Sequence, residues 1–321
     1  REFNVDIPSG TYTNATWRMH YEDNELNAFG EPNLSHYHYN SGTSMWDSIG
    51  LTTRNTTSNY VEKTTVTNLM GRWTLSGLRN VVRWNGSVST AWENAANWTT
   101  ISGSNMSNRV PTSTDDAQLG QGTFTYQPTI SSSRTINILR YGSAKTTTLT
   151  IAGTGTLTAL GGVKGVWTSN CSHELNVGSG VLNIGTNLDL SDGSNGHSIT
   201  LAIGSGTTTI TNSLSQSANA DIIFTGSGTL SIGGSYNYTS GNFSCGTGTV
   251  VYTGSEAQVV APLTYYNLSF TKPTERATIN DPVIVSGNLT TTTGGELAVS
   301  DSLTVSGNIT IGVGNTILET G

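Results

Sequence analysis

Thr148-Leu-Thr-Ile-Ala-Gly-Thr-Gly-Thr-Leu-Thr-Ala-Leu160 decides the fold of this chain. Apolar and hydroxyl residues alternate on either side of a Gly-x-Gly turn, the period-two pattern of two short, half-buried strands. The turn recurs as Gly153-Thr-Gly155, Gly178-Ser-Gly180, Gly204-Ser-Gly206, Gly226-Ser-Gly228 and Gly246-Thr-Gly248, at spacings of 25, 26, 22 and 20 residues. A near-constant period carrying alternating strands makes each repeat one coil of a solenoid. The expected fold class is all-β: a right-handed parallel β-solenoid, or β-helix, preceded by a small immunoglobulin-like β-sandwich segment. Alternation places Leu149, Ile151, Leu157, Leu175, Val177 and Leu182 inside, and continues through Leu230 and Ile232. With coils stacked about 4.8 Å apart, eight or nine of them extend on the order of 40 Å.

Composition narrows the function classes. Only 11% of the 321 residues are charged, against roughly 25% in an ordinary soluble domain. Thr, Ser, Asn and 38 glycines stand in their place, which suits strands and turns. The net charge is −7, and no Lys/Arg cluster exists to neutralise phosphates, so nucleic acid is not an expected partner. No apolar run approaches the roughly 18 residues of a membrane span, so membrane insertion is not expected either. The chain begins with Arg1 and opens on no signal peptide, the expectation being a processed or partial segment of something longer.

Three regions are expected. Residues 1–80 carry alternating runs such as Thr11–Tyr21 and Tyr60–Val66, the strands of a small β-sandwich, complete or partial. Residues 81–120 hold Trp84, Trp92 and Trp98 and read as a cap and hinge that covers the first coil. Residues 121–321 are the parallel solenoid, continuing beyond the fragment. Leu263-Thr-Tyr-Tyr-Asn-Leu-Ser-Phe270 and Lys272–Arg276 break the rhythm and are expected to loop out before coils resume at Val283. Cys171 and Cys245 fall about three coils, roughly 14 Å, apart. A disulfide needs Cα atoms within about 7 Å, so both are expected reduced, buried and slow to react until unfolding.

Trp84-Asn85-Gly86, Thr90-Ala-Trp92, Ala96-Asn97-Trp98, Val110-Pro111-Thr112 and Asp115-Asp116-Ala117 resemble a motif of large secreted repeat proteins of Bacteroidota, exported by type IX secretion. In that group the motif opens a β-solenoid, and an immunoglobulin-like sandwich often precedes it. Gln258–Leu268 resembles a further segment, so the likeness covers roughly residues 60–321. The resemblance implies an extracellular, cell-surface adhesin, filament or autotransporter-like passenger without a conserved catalytic set. Its implied partners are other copies or neighbouring repeats of the same surface protein. It also implies O-glycosylation at Ser48 and Ser302, because Asp47-Ser48-Ile49 and Asp301-Ser302-Leu303 resemble the Asp-Ser/Thr-apolar acceptor motif of that group.

The same residues hold candidates for competing chemistry. Glycoside hydrolysis needs two carboxylates about 5–9.5 Å apart across a groove; the coils offer Asp189, Asp192 and Asp221, with Asp192 expected to cap a turn and Asp221 to begin one. His36 and His38 share a strand face, half of a zinc set, but no third ligand has an evident place beside them. His173 and His197 read as isolated. No cofactor is expected except calcium, for which Glu22, Asp23, Asn24, Glu25 and Glu31 gather oxygen donors in one loop. Tyr236, Tyr238, Tyr252, Tyr265 and Tyr266 would, if exposed in a line, stack against polysaccharide. The expected function is therefore a non-enzymatic, structural and adhesive segment of an extracellular bacterial fibre or stalk. The alternatives are a carbohydrate-binding or carbohydrate-cleaving β-helix and a self-assembling filament subunit.

Overall fold

The alternation at 148–160 is built as two strands, Thr148–Ile151 and Thr156–Ala159. Leu149, Ile151, Leu157 and Ala159 are fully buried, and the threonines between them point outward. The computed structural model describes residues 2–319 except 7–9, 11, 27–30, 32–33, 42–44, 78–79, 103–106, 273–274 and 294; the side chains at 40, 45, 48 and 293 also lie outside the description. The described residues form 37 strands and two short 3-10 turns, with no α-helix. They divide into two compact units, Arg1–Val81 with Thr100–Ser107 and Val82–Thr99 with Asn108–Gly321.

The first unit is antiparallel. One sheet orders Glu2–Val5, Gly71–Gly77, Leu34–Asn40 and Met45–Gly50; the other orders Ala15–His20, Tyr60–Val66 and Thr53–Asn55. Met19 and Val66 of the second sheet pack on Trp73 of the first, and Trp17 meets Trp73 at 5.8 Å between ring centroids. The two sheets thus share a core through one fully buried tryptophan.

The second unit is the parallel solenoid, of about nine coils with three strands each. The first face runs through Asp115–Leu119, Leu139–Tyr141, Val163–Gly165, Leu188–Asp189, Leu214–Gln216 and Tyr236–Tyr238. The second begins at Thr129–Ile130 and ends at Asn242–Ser244. The third is the longest, nine strands from Ser133–Ile136 to Ile309–Ile311. Aliphatic side chains stack inside coil upon coil, as Leu149, Leu175, Leu201 and Ile222 do on the second face. Each such burial contributes about 1.5–3 kcal/mol relative to exposure.

The glycine period has a steric cause. A Cβ on Gly206 would overlap the carbonyl oxygen of Gly180, and one on Gly180 would lie 2.6 Å from that of Gly155. The turns between the second and third faces therefore stack backbone on backbone, which only glycine permits.

The tryptophan-rich segment belongs to the solenoid unit. Trp84, Trp92 and Trp98 are wholly buried and contact one another, Trp92 and Trp98 edge-to-face at 4.5 Å. Buried Asn97 holds the turn around them: its amide donates to Ala91 O and Ser89 Oγ, and its carbonyl oxygen accepts from the N–H groups of Val88 and Ser89. Asn80–Trp84 and Trp98–Ser102 extend the first face beyond its first coil, and Ala91 bridges Thr129 on the second. The segment therefore pairs with strand edges that would otherwise be open.

Two expectations are corrected. Residues 263–276 do not loop out as a block: Asn267–Thr271 pairs in register with Thr249–Tyr252 on the third face, and Tyr265, Leu268 and Phe270 are buried. Tyr252, Tyr265 and Phe270 enter the interior beside Leu268 there, so the period persists while its composition shifts. What breaks is the ladder, because the first and second faces restart at Gln258–Val259 and Thr264–Tyr265 as separate sheets. Side chains bridge the gap. Gln258 Nε2 donates to Ile232 O at 3.1 Å and to Gly234 O, while its Oε1 accepts from Gly254 N at 3.0 Å and Lys272 Nζ at 2.8 Å. The second correction concerns the cysteines. Both are free thiols, three coils apart on or beside the second face, but they sit at its corners and are half-exposed rather than buried.

Candidate functional site

Every strand of the solenoid has an outward half, and the three faces differ in what they present. On the first face the outward column reads Gln118, Arg140, Lys164, Asp189, Ser215 and Asn237. On the second, Glu174 and Asp221 stand among threonine and asparagine. On the third, two columns run from Ser133 to Asn267 and from Thr135 to Ser269 across seven coils without a slip in register. Those 14 positions hold seven Thr, three Ser, two Asn and two Val, and nothing ionised or aromatic. From Thr156 to Ser269 each is half-buried between its neighbours in the coils above and below. The sequence carried this signal in the polar half of the alternation, as Thr156/Thr158, Thr207/Thr209 and Thr229/Ser231; reading the pattern for its apolar half alone passes over it.

The Asp115-Asp116 pair is structural. Both carboxylates are fully buried. Asp115 accepts from Arg109 Nη2 at 2.6 Å, Thr112 N at 2.9 Å and Thr112 Oγ1 at 2.8 Å. Burial pushes its carboxyl up, but the hydrogen bonds from Arg109 and Thr112 together outweigh this and hold it below the usual carboxylate range. Asp116 accepts from Asn137 Nδ2 at 2.6 Å and pairs with Arg140. The two arginines thus tie the Val110-Pro111-Thr112 turn and the next coil to one strand, Asp115–Leu119.

Asp189, Asp192 and Asp221 are not brought together. Asp189 lies on the first face and Asp221 opens a second-face strand, where it accepts from Asn242 N at 3.1 Å. Asp192 occupies the corner between those faces, accepting from Ser194 N at 2.9 Å and from His197 Nδ1 at 2.8 Å. His197 is therefore not isolated; its ring also stacks on Trp167 at 5.4 Å. His173 is buried against Tyr141 and accepts from Thr147 N at 3.2 Å. His36 and His38 share a face as expected, and both rings meet Trp73; His38 donates to Met70 O at 2.7 Å. Burial lowers His36 and His173 each to about 4.

The acidic loop disperses its donors. Glu25 accepts from Glu22 N at 3.0 Å, Asp23 from Asn59 Nδ2 at 2.7 Å, and Glu31 from the Tyr21 hydroxyl at 3.1 Å. Exposed Asn24 lies within the 3-10 turn Asp23–Glu25. Among the described residues no group of three or more His, Cys, Asp or Glu is placed to hold a metal ion. The line of stacking tyrosines is corrected as well. Tyr236, Tyr252 and Tyr265 are buried, with the Tyr252 and Tyr265 hydroxyls 3.2 Å apart inside the coils. They stand at inward positions of their strands, and burial pushes Tyr252 up to about 12. Tyr238 is half-buried and donates to Gly241 O, and only Tyr266 is exposed. Ser302 is exposed ahead of strand Leu303–Val305; Ser48 pairs with Tyr37 through its backbone, and its side chain lies outside the described residues.

Among the described residues no helix is long and apolar enough to cross a membrane. No protein family, curated protein or solved structure matches the chain.

Proposed function

We propose that the chain is a structural and adhesive segment of an extracellular bacterial surface fibre or stalk, with no catalytic role. The observation that carries this reading is the third-face ladder, nine strands hydrogen-bonded along one axis over an interior that is almost wholly buried. Ladders of this kind resist bending and pulling, because extending the stack requires breaking whole strands of hydrogen bonds at once. The scarcity of Lys and Arg among the coils favours endurance outside a cell, where trypsin-like proteases cut at those residues. The likeness of the tryptophan-rich motif to Bacteroidota surface proteins supports the same assignment, including type IX export, glycosylation at Ser48 and Ser302, and neighbouring repeats as partners. The test is display of the chain on non-adherent cells, followed by counting cells retained on solid surfaces under flow. Retention equal to that of cells displaying only the first unit would overturn the adhesive assignment.

A further inference from the structure

We propose that the third face of the solenoid binds ice. Its two outward columns form a grid with a repeat of about 4.8 Å along the stack and about 6.7 Å along each strand, twice the rise per residue. Both repeats lie close to those of the oxygen rows on a prism face of ice. The grid is carried through seven coils without a register shift. Half its positions are threonine, whose branched Cβ restricts the hydroxyl to few orientations. A hydroxyl offers one donor and two acceptor lone pairs, so a row of them can hold waters in lattice positions while the γ-methyl groups fill the gaps between.

Charge separates this face from the other two. An ionised side chain orients water around itself and disrupts a tetrahedral lattice. Arg140, Lys164 and Asp189 do so on the first face, and Glu174 and Asp221 on the second; the grid on the third has none. An uncharged face matches an uncharged lattice.

Other occupants fit less well. Seven coils by two rows cover roughly 450 Å². Two copies face to face would bury roughly 900 Å², short of the roughly 1,200 Å² at which stable complexes begin, and each copy carries a net charge of −7. A dissolved sugar finds no aromatic ring on the grid to stack against, and exchanging a water for a sugar hydroxyl changes little in free energy. An extended lattice differs because all grid positions engage together, so weak contacts act as one multivalent contact. This inference does not depend on the surface-fibre reading, since a detached chain would bind as well.

The experiment is partitioning of the full chain into slowly grown polycrystalline ice, with thermal hysteresis read on the same samples. The chain is expected to enter the ice and to open a gap between melting and freezing points. Thr209→Lys, at the centre of the grid, is expected to lower incorporation about tenfold through loss of simultaneous engagement, with an unchanged circular dichroism spectrum. Thr150→Lys, outward on the second face, is expected to leave incorporation intact. Ser231→Lys replaces Thr209→Lys if that variant does not fold. Exclusion of the unaltered chain from ice overturns the proposal. So does an equal loss with Thr150→Lys, and so does retention on crystalline cellulose or chitin combined with exclusion from ice.

Discussion

Two stretches of one solenoid are held together in different ways. Between Thr129 and Tyr252 three parallel ladders run side by side over an interior mostly of Leu, Ile and Val, with Tyr141, His173, Gln216 and Tyr236 set among them and glycine turns stacked backbone on backbone. Beyond Tyr252 only the third-face ladder continues unbroken. At the junction the interior holds Tyr252, Tyr265, Gln258 and Lys272, and their side chains make the hydrogen bonds that backbone makes elsewhere. The difference shows that cohesion between coils can pass from ladder to side chain without interrupting the stack. It also changes what a substitution costs. In the aliphatic coils a lost methyl group leaves a void, whereas at the junction a lost amide strands several buried partners.

Gln258→Leu should have the largest effect. It leaves Gly254 N without this partner, strips Ile232 O of its side-chain donor though Thr253 N still bonds it, and removes an acceptor of the Lys272 ammonium. A loss of about 4 kcal/mol is expected from several unsatisfied buried groups. Leu230→Ala, in the aliphatic stretch, is expected to cost about 3 kcal/mol. Denaturant unfolding checks both, and a smaller loss for Gln258→Leu than for Leu230→Ala would break the contrast.

Within the aliphatic stretch, Gly206→Ala should cost about 3 kcal/mol, because its Cβ meets the Gly180 carbonyl and backbone must move. Gly153→Ala meets open space and only the strain of φ +59°, about 1 kcal/mol. Equal midpoints for the two variants would show that the turns do not stack as closely as described.

Acid should weaken the same stretch through His173. Its imidazole is held at about 4 in the folded chain, against 6.5 for a free side chain. Between those values the unfolded chain binds a proton that the folded chain refuses. Stability is therefore full above pH 6.5 and falls as pH drops toward 4, by about 2–3 kcal/mol. His173→Gln should flatten that fall in the solenoid, while buried His36 keeps a similar dependence in the first unit. A pH profile unchanged by the substitution would assign the acid limb to other groups.

The smallest effect concerns the thiols. Both cysteines are half-exposed, so both should react with a thiol reagent in the folded protein. Cys171→Ala and Cys245→Ala should each shift stability by less than about 0.5 kcal/mol. Protection of either thiol until unfolding would restore the buried corner first expected from the repeat.

The aliphatic coils were legible almost residue by residue. Most inward positions from Leu149 to Ile232 follow from alternation, because one face of a strand must be dry; His173, Thr208 and Gln216 are inward and polar, and alternation does not mark them. The junction was not. Lys272 reads as a polar residue of a loop and Gln258 only as the start of a family-like segment, and their distant acceptors, Glu256 O and Ile232 O, make them interior groups. Tyr252 could have been placed, since it repeats the parity of Ile232 in the coil before. His197 and Asp192 are five residues apart across a corner whose shape no local pattern specifies. In the acidic loop the carboxylates were located correctly, but their partners, Asn59 and Tyr21, lie outside the run that suggested a shared ion.

Coil length varies by several residues, yet the third face never slips from Ser133 to Ser269. The corner leading from third face to first is three residues long in each of the four coils from Ala159–Val163 to Ile232–Tyr236. In the same four coils the corner leading from second face to third holds three or four. Nearly all the variation there lies between the first and second faces, where five, seven, four and three residues intervene in turn. In this part of the stack differences in length are thus absorbed at one edge, and the stretch 190–196 carries the longest of the four. A guest peptide placed there would project from a single side of the stack and leave the other two corners at their near-constant spacing.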